Sequence, residues 1–324
     1  MNMTTRRQFV LHTVGMAVAS SAAASARAQA AFPLKPITIV IPTPPGGAVD
    51  LMARTAGKRV SDALGQPVIV DSRPGAVTMV ATEFVARAQP DGHTLLLTWP
   101  SLVMNPLLYS DGRVRYDAKD LQAVTQIAVS KNVVFACRPG IRNLAEFIEL
   151  GKRAAKPLTY STSGHGNPTH FYGEIFARRA GIPLTMVPYK GEAPAIPDLA
   201  AGRLDAGFMT VSTADQHRAS IKALAMTGKT RSALFPDVPT FGEQGVTGLD
   251  DESWYGLFAP KGTPPEVLER LSSEFARAVQ AEKDRWQTIG VEPAGGSPKQ
   301  FDAIVRTSTR EWAQMIKETG IRLD

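Results

Sequence analysis

The chain contains a single cysteine, Cys137, among 324 residues, so no internal disulfide is available. Cys137 ends the apolar run Val133-Val134-Phe135-Ala136-Cys137 and reads as a small buried hydrophobe rather than a nucleophile. No apolar run beyond the N-terminus approaches the ~20 residues of a membrane span. There is no H-E-x-x-H, no C-x-x-C, and no G-x-G-x-x-G after the first strand-like run, which argues against zinc, redox-dithiol and dinucleotide sites. Gly228-Lys229-Thr230 resembles the end of a P-loop, but Ala223 stands where its first glycine belongs. No cofactor is expected, and no metal. His165 and His170 share a loop without a recognisable ligand set.

The first thirty residues lack Asp, Glu and Lys but contain Arg6, Arg7 and Arg27. Thr5-Arg6-Arg7-Gln8-Phe9-Val10 looks like a twin-arginine export signal, followed by a modest apolar segment, Val10–Ala19. Ala28-Gln29-Ala30 offers an A-x-A cleavage site, and Ala26-Arg27-Ala28 a second frame. Residues 1–30 are therefore expected to be a signal peptide, cleaved on export to the periplasm. The whole chain has 36 Lys and Arg against 30 Asp and Glu, a net charge of +6. Without the three signal arginines this falls to +3. The basic residues are scattered, so no nucleic-acid partner is expected. A small anion suits such a surface better.

The remainder has an ordinary globular composition, 44% hydrophobic and 20% charged, and a length suited to about two domains. Strand-like and helix-like runs alternate. Ile37–Ile41, Val68–Val70 and Thr94–Thr98 read as strands, with Ala48–Leu64 and Ala76–Ala88 as helices between them. A second series runs from Val133–Cys137 to Ala223–Met226. Trp254–Ala259 then reads as a strand, and Pro264–Gln280 and Pro298–Thr319 as helices. This pattern predicts βαβ units and largely parallel sheets in two α/β halves, with the last helices returning to the first half.

Two loops between a strand and a helix carry the chemistry. Pro42-Thr43-Pro44-Pro45-Gly46-Gly47-Ala48-Val49-Asp50 joins backbone freed by glycine to the unpaired N–H groups of a helix start, which favours an anion. A tight turn capped by Asp50 fits the same residues. Tyr160 to His170 brings Ser161, Thr162, Ser163, Gly164 and Gly166 before a second helix start. That set suits a carboxylate or phosphate. It also admits a capped loop, or a Ser–His pair, although G-x-S-x-G is absent.

Further landmarks run in a fixed order: Leu64-Gly65-Gln66-Pro67-Val68, Arg73-Pro74-Gly75-Ala76, Pro90-Asp91-Gly92, Asn105-Pro106, Val187-Pro188-Tyr189-Lys190-Gly191, Gly202-Arg203-Leu204-Asp205, Phe235-Pro236-Asp237-Val238-Pro239-Thr240 and Trp254-Tyr255-Gly256-Leu257. With the two loops above, they make the mature chain resemble a Bug-type solute receptor, the extracytoplasmic substrate-binding protein of tripartite tricarboxylate transporters. The resemblance implies an α/β, two-lobed periplasmic binding protein fold, type II-like, each lobe a mostly parallel sheet flanked by helices. Lobe 1 is expected over 31–130 plus 252–324 and lobe 2 over 131–251. It implies a small organic carboxylate as ligand, membrane transporter subunits as partners, a sensor kinase as a further partner, and no enzymatic activity. Carried over, the ligand site is Thr43, Pro45, Gly46 and Gly47, Ala76 and Val77, Thr98 and Trp99, Ser161, Thr162, Ser163 and Gly164, and Asp205.

The chain departs from the family pattern where Thr43 replaces a usual phenylalanine and Val77 and Thr78 replace two glycines. Thr98-Trp99 replaces a small pair, and Thr210 stands where many members have aspartate. Trp99 is either core packing or a flat face in the cleft. The latter would favour an aromatic or flat carboxylate over citrate. Two other classes compete: a periplasmic hydrolase using Ser161 or Ser163 with a nearby histidine, and a regulator effector domain. The export signal and the lack of a DNA-binding module count against the last.

Overall fold

The computed structural model describes residues 32–250 and 252–323. The signal-peptide and cleavage expectations lie outside them. In chain order the first elements are β1 (Ile37–Ile41), α1 (Ala48–Leu64), β2 (Val68–Ser72), α2 (Met79–Ala86), β3 (Thr94–Thr98), α3 (Ser101–Leu108) and β4 (Leu121–Ser130). Next come β5 (Val133–Cys137), α4 (Leu144–Arg153), β6 (Leu158–Thr162), α5 (Pro168–Ala180), β7 (Leu184–Pro188), α6 (Ile196–Ala200), β8 (Ala206–Thr210), α7 (Val211–Gln216) and β9 (Lys222–Met226). The last are β10 (Ser253–Pro260), α8 (Pro265–Gln280), α9 (Lys283–Gln287), β11 (Glu292–Gly295) and α10 (Pro298–Thr319).

The strands form two sheets, a six-stranded one in the order β11-β4-β10-β3-β1-β2 and a five-stranded one in the order β7-β6-β8-β5-β9. Both are mixed. β1 runs parallel to β2 and β3, and β6 to β7 and β8. β10 pairs antiparallel with β3 and β4, β11 with β4, and β5 with β8 and β9. Four of the six strands in the first sheet and four of the five in the second run the same way, with β10, β11 and β5 reversed. β5 and β10 each enter from the other sheet without a helical crossover behind them, and both run antiparallel to their neighbours.

Local sequence explains the elements that frame the cleft. β1 is buried along almost its whole length, as a strand covered on both faces must be. α1 buries Val49, Met52, Ala53, Ala56 and Val60, one stripe at helical spacing, and stops where Gly65 takes the left-handed conformation at φ 66°. The predicted helix at Ala76–Ala88 begins later. Ala76, Val77 and Thr78 form a turn with positive φ, and regular helix starts at Met79. α10 opens with a capping box between Ser297 and Gln300 and packs on β4 and α3. It also reaches the other sheet's helix α5. Arg178 donates to the carbonyls of Glu318 (2.7 Å) and Thr319, and Phe171 meets Trp312 edge-on at 5.6 Å between ring centroids.

The chain changes sheet between Ser130 and Val133, and again between Met226 and Ser253. The two passages are tied together. The buried Asn132 amide donates to the carbonyls of Thr227 and Thr230, both at 2.8 Å, and Val133 N–H donates to Thr227 Oγ1 at 2.9 Å. Gly228 belongs to the same knot. Its φ is +88°, and a Cβ there would lie 2.1 Å from the Lys131 carbonyl oxygen, so no side chain fits.

Candidate functional site: a cleft between the two sheets

A cavity of about 400 Å³ opens where the C-terminal ends of β1, β3, β6, β7 and β8 converge, the crevice where open α/β sheets take ligands. From the six-stranded side it is lined by Thr43, Pro44, Pro45, Gly47, Ala48 and Val49, by Trp99 after β3, and by Tyr255 on β10. From the five-stranded side come Ser163, the start of α5 (Asn167, Pro168, Thr169), the loop from Lys190 to Pro194, and Thr210 with Thr213. The starts of α1 and α5 thus face one cavity from opposite sheets. Each brings the positive end of a helix dipole; α1 has no side-chain cap and keeps its first N–H groups unpaired, whereas α5 opens on Pro168 and its Thr169 and His170 N–H groups bond to Asn167.

The first loop is shaped from below. Asp50 sits in the first turn of α1 and is not its N-cap, which is Gly47. Its carboxylate accepts the Gly46 N–H at 3.0 Å and Arg54 Nε at 3.0 Å. Burial pushes the Asp50 pKa up, but these bonds and the arginine's charge hold it below the usual carboxylate value. Thr43 carries the most suggestive polar atom. Its Oγ1 is buried and has no hydrogen-bond partner, while its carbonyl accepts Ser72 Oγ at 2.5 Å.

The second loop is internally bonded. Ser163 N–H donates to Thr169 Oγ1 at 3.2 Å, and Thr169 N–H to Asn167 Oδ1 at 3.3 Å. Gly166 N–H donates to His170 Nδ1 at 3.3 Å. His170 is buried, and desolvation first, then the neighbouring His165, presses its pKa from 6.5 down to about 4. It is a neutral acceptor at pH 7.

The expected site residues divide. Thr43, Pro45, Gly47, Trp99 and Ser163 line the cavity, with Gly46 between two lining residues. Trp99 also packs against the core under β1 and β3 and is only partly exposed. Thr98 is buried behind it. Ser161 is buried too, and its Oγ would lie 2.2 Å from a Cβ at Gly207 on β8. Thr162 donates to the Gly164 carbonyl at 3.2 Å and supports the loop from behind. Ala76 and Val77 do not line the cavity. Val77 Cγ2 stands 3.9 Å from where a Cβ on Gly164 would be, so this turn meets the other sheet's loop. Asp205 is placed elsewhere. It precedes β8, whose other end, Thr210, reaches the cavity. There its carboxylate accepts Arg138 Nε at 3.1 Å and Thr159 N–H at 2.9 Å, a structural tie at the far end of the sheet.

Glu192, Lys190 and Tyr255 were not among the expected residues. Glu192 follows Tyr189-Lys190-Gly191, and a charged residue in the third loop at a strand's C-terminal end is the signal that marks it. Its Oε1 accepts the Thr210 N–H and its Oε2 the Thr210 hydroxyl, both at 2.9 Å, and Thr213 adds a third donor. Among the described residues no group of three or more His, Cys, Asp or Glu is set to hold a metal ion, and no helix is long and apolar enough to cross a membrane.

Two mixed α/β lobes with a cleft at their strand ends define a two-lobed binding protein of the periplasmic type. The family profile described as tripartite tricarboxylate transporter family receptor matches residues 52–321. The chain is 33% identical over 317 residues to a UPF0065 protein of a Pseudomonas species, covering 96% of this chain and 94% of that one. It is 30% identical over 330 residues to protein BugT of Bordetella pertussis, covering 100% of both. An R. palustris protein solved with adipate superposes with a TM-score of 0.83 at 29% identity, over 90% of this chain and 99% of the other. The chain belongs to the tripartite tricarboxylate transporter receptor family.

Proposed function

We propose that this chain is exported, loses residues 1–30, and serves as a receptor that closes its lobes, 31–130 plus 252–324 and 131–251, around a small organic carboxylate. It then delivers the ligand to the membrane subunits of a tripartite tricarboxylate-type transporter, and a sensor kinase is a second client. The observation that carries this reading is the convergence at one cavity of two helix starts, one from each lobe, the uncapped start of α1 among them. The free N–H groups at the start of α1 are donors a carboxylate takes, and charge-assisted bonds of this kind contribute roughly 1.5–3 kcal/mol each. Contact with both lobes makes the ligand favour the closed state. The adipate bound by the R. palustris relative is a carboxylate of fitting size.

The site is read as non-enzymatic. Ser161 is buried beside Gly207, and the His170 ring is engaged by Gly166 rather than by a serine. A thermal-shift screen against a carboxylate library tests binding, since a ligand of the folded state raises its melting temperature. Recovery of the best ligand unchanged after long incubation tests the absence of turnover. A screen without a carboxylate hit, or a consumed ligand, overturns the reading. Replacing Arg6 and Arg7 by lysine should leave precursor in the cytoplasm, and normal periplasmic recovery would exclude the twin-arginine route.

A further inference from the structure

Glu192 places a carboxylate on the wall of a cavity whose other polar features attract anions. Three donors orient it: the Thr210 N–H, the Thr210 hydroxyl and the Thr213 hydroxyl. The Thr210 hydroxyl accepts the Thr213 N–H at 3.3 Å, and its single proton is shared between Glu192 Oε2 at 2.9 Å and the Thr213 hydroxyl at 3.0 Å. Burial pushes the Glu192 pKa up, and the threonine donors pull against it without cancelling it, so the ionised form, which only accepts and offers about four acceptor positions, gains from a further positive donor. Among the described residues no Lys, Arg or His is in ion-pair contact with it. Lys190, two residues earlier, is exposed at the rim. Tyr255 faces it from the other lobe, close enough that burial and then the Glu192 charge raise the phenol's pKa. A partly desolvated carboxylate with spare acceptor capacity and no cation calls for a positive donor from the cavity itself.

We propose that Glu192 is the specificity residue of this cavity and that the ligand is an amino-bearing carboxylate, its carboxylate at the helix starts and its ammonium on Glu192. This deepens the receptor reading above and rests on it. The Thr210–Thr213 pair is then a positioning device, which keeps Glu192 turned toward the cavity in the empty receptor, so that little reorganisation accompanies binding.

Calorimetry on matched pairs tests the proposal: aspartate against succinate, glutamate against glutarate, 6-aminohexanoate against adipate, and 4-(aminomethyl)benzoate against terephthalate. Wild type should bind the amino member of at least one pair more tightly by about tenfold or more, the factor one charge-assisted hydrogen bond supplies. Glu192→Gln keeps an acceptor for the Thr210 N–H but removes the charge, and should shrink that preference to below about threefold. Circular dichroism melting checks that the variant is folded, and Thr213→Val, which removes one orienting donor, should reduce the preference partially. If wild type binds the dicarboxylates as well as their amino partners, or Glu192→Gln keeps the preference, the proposal fails while the carboxylate-receptor reading stands. If no carboxylate of either kind binds, both fail.

Discussion

The side-chain amide of Asn105 donates to the carbonyl of Val77 at 2.7 Å and thereby holds a turn in which Ala76, Val77 and Thr78 have φ of 44°, 47° and 76°. The left-handed region costs an L-residue roughly 1–2 kcal/mol and a glycine nothing comparable. Three such residues in a row persist only where the surroundings hold them, and Asn105 is buried beneath them with Tyr116 as a further partner.

Ala76 is exposed, so replacing it with glycine relieves strain without removing a packed side chain. Glycine's greater freedom in the unfolded chain offsets part of the gain. Ala76→Gly is expected to stabilise the protein by about 0.5–1 kcal/mol. Asn105→Ala should destabilise it by about 1–3 kcal/mol, because the Val77 carbonyl and the Tyr116 hydroxyl lose their donor. Urea unfolding of both variants measures this. A destabilised Ala76→Gly would mean the turn is not strained.

Acid should loosen the second binding loop through His170. Its folded pKa, about 4, lies below the ordinary 6.5, because burial disfavours the charged ring. Its contribution is therefore complete above pH 6.5 and is lost as pH falls from 6.5 toward 4, where the unfolded chain takes up the proton first. The loss amounts to about 2–3 kcal/mol. His170→Gln removes this titration. The difference in unfolding free energy between pH 7 and pH 4.5 should be smaller for the variant than for wild type. An equal difference would assign the acid response to other groups.

How much of this was legible in the sequence follows from which residues signal locally. β1, α1, α4 and α10 announce themselves through a buried apolar run, a stripe at helical spacing, or a cap, and the first binding loop through two glycines between strand and helix. β4 does not, because it is buried on both faces while carrying Thr125 and Gln126, which break any apolar pattern. Thr125 is tolerated there because it donates to the Gly296 carbonyl at 2.8 Å, a partner 171 residues away. α3 follows Pro100 and contains Pro106, so local preference opposes it and packing against α10 supports it. Glu192 is marked only by its charge in a loop after a strand, and the sequence does not show what orients it. Only the fold brings Thr210 and Thr213 to it from another strand end. Asp205 entered only through the family resemblance, and the structure ties its carboxylate to Arg138 and the Thr159 N–H at the far end of β8.

Asp50 should prove necessary to the first binding loop although it is not at the cavity surface. Its bond to the Gly46 N–H fixes a residue held at φ 94°. Asp50→Ala leaves that N–H free and removes the partner of Arg54. Loss of about 1–3 kcal/mol of stability is expected, together with weaker binding of the best carboxylate from the screen. Asp50→Asn keeps an acceptor and should fall between. Unchanged affinity in a folded Asp50→Ala would show that the loop holds its shape without this carboxylate.

Trp99 should set the preferred shape of the ligand. The ring leaves β3 at the strand's C-terminal end, rests on the core with one part and lines the cavity with another. A planar acid can stack on such a face, and stacking contributes on the order of 0.5–1.5 kcal/mol beyond area burial. Citrate meets two obstacles. It is not flat, and it would bring three carboxylates into a cavity of about 400 Å³ that already contains the Glu192 carboxylate. Wild type is therefore expected to bind benzoate and 4-aminobenzoate more tightly than citrate. Trp99→Ala should weaken the aromatic acids by about threefold to tenfold and leave aliphatic acids less affected. Calorimetry with these ligands, beside a melting curve for each protein, separates stacking from packing. If a folded Trp99→Ala keeps its aromatic affinity, or if citrate binds wild type more tightly than benzoate, the ring is a wall of the core and does not read the ligand.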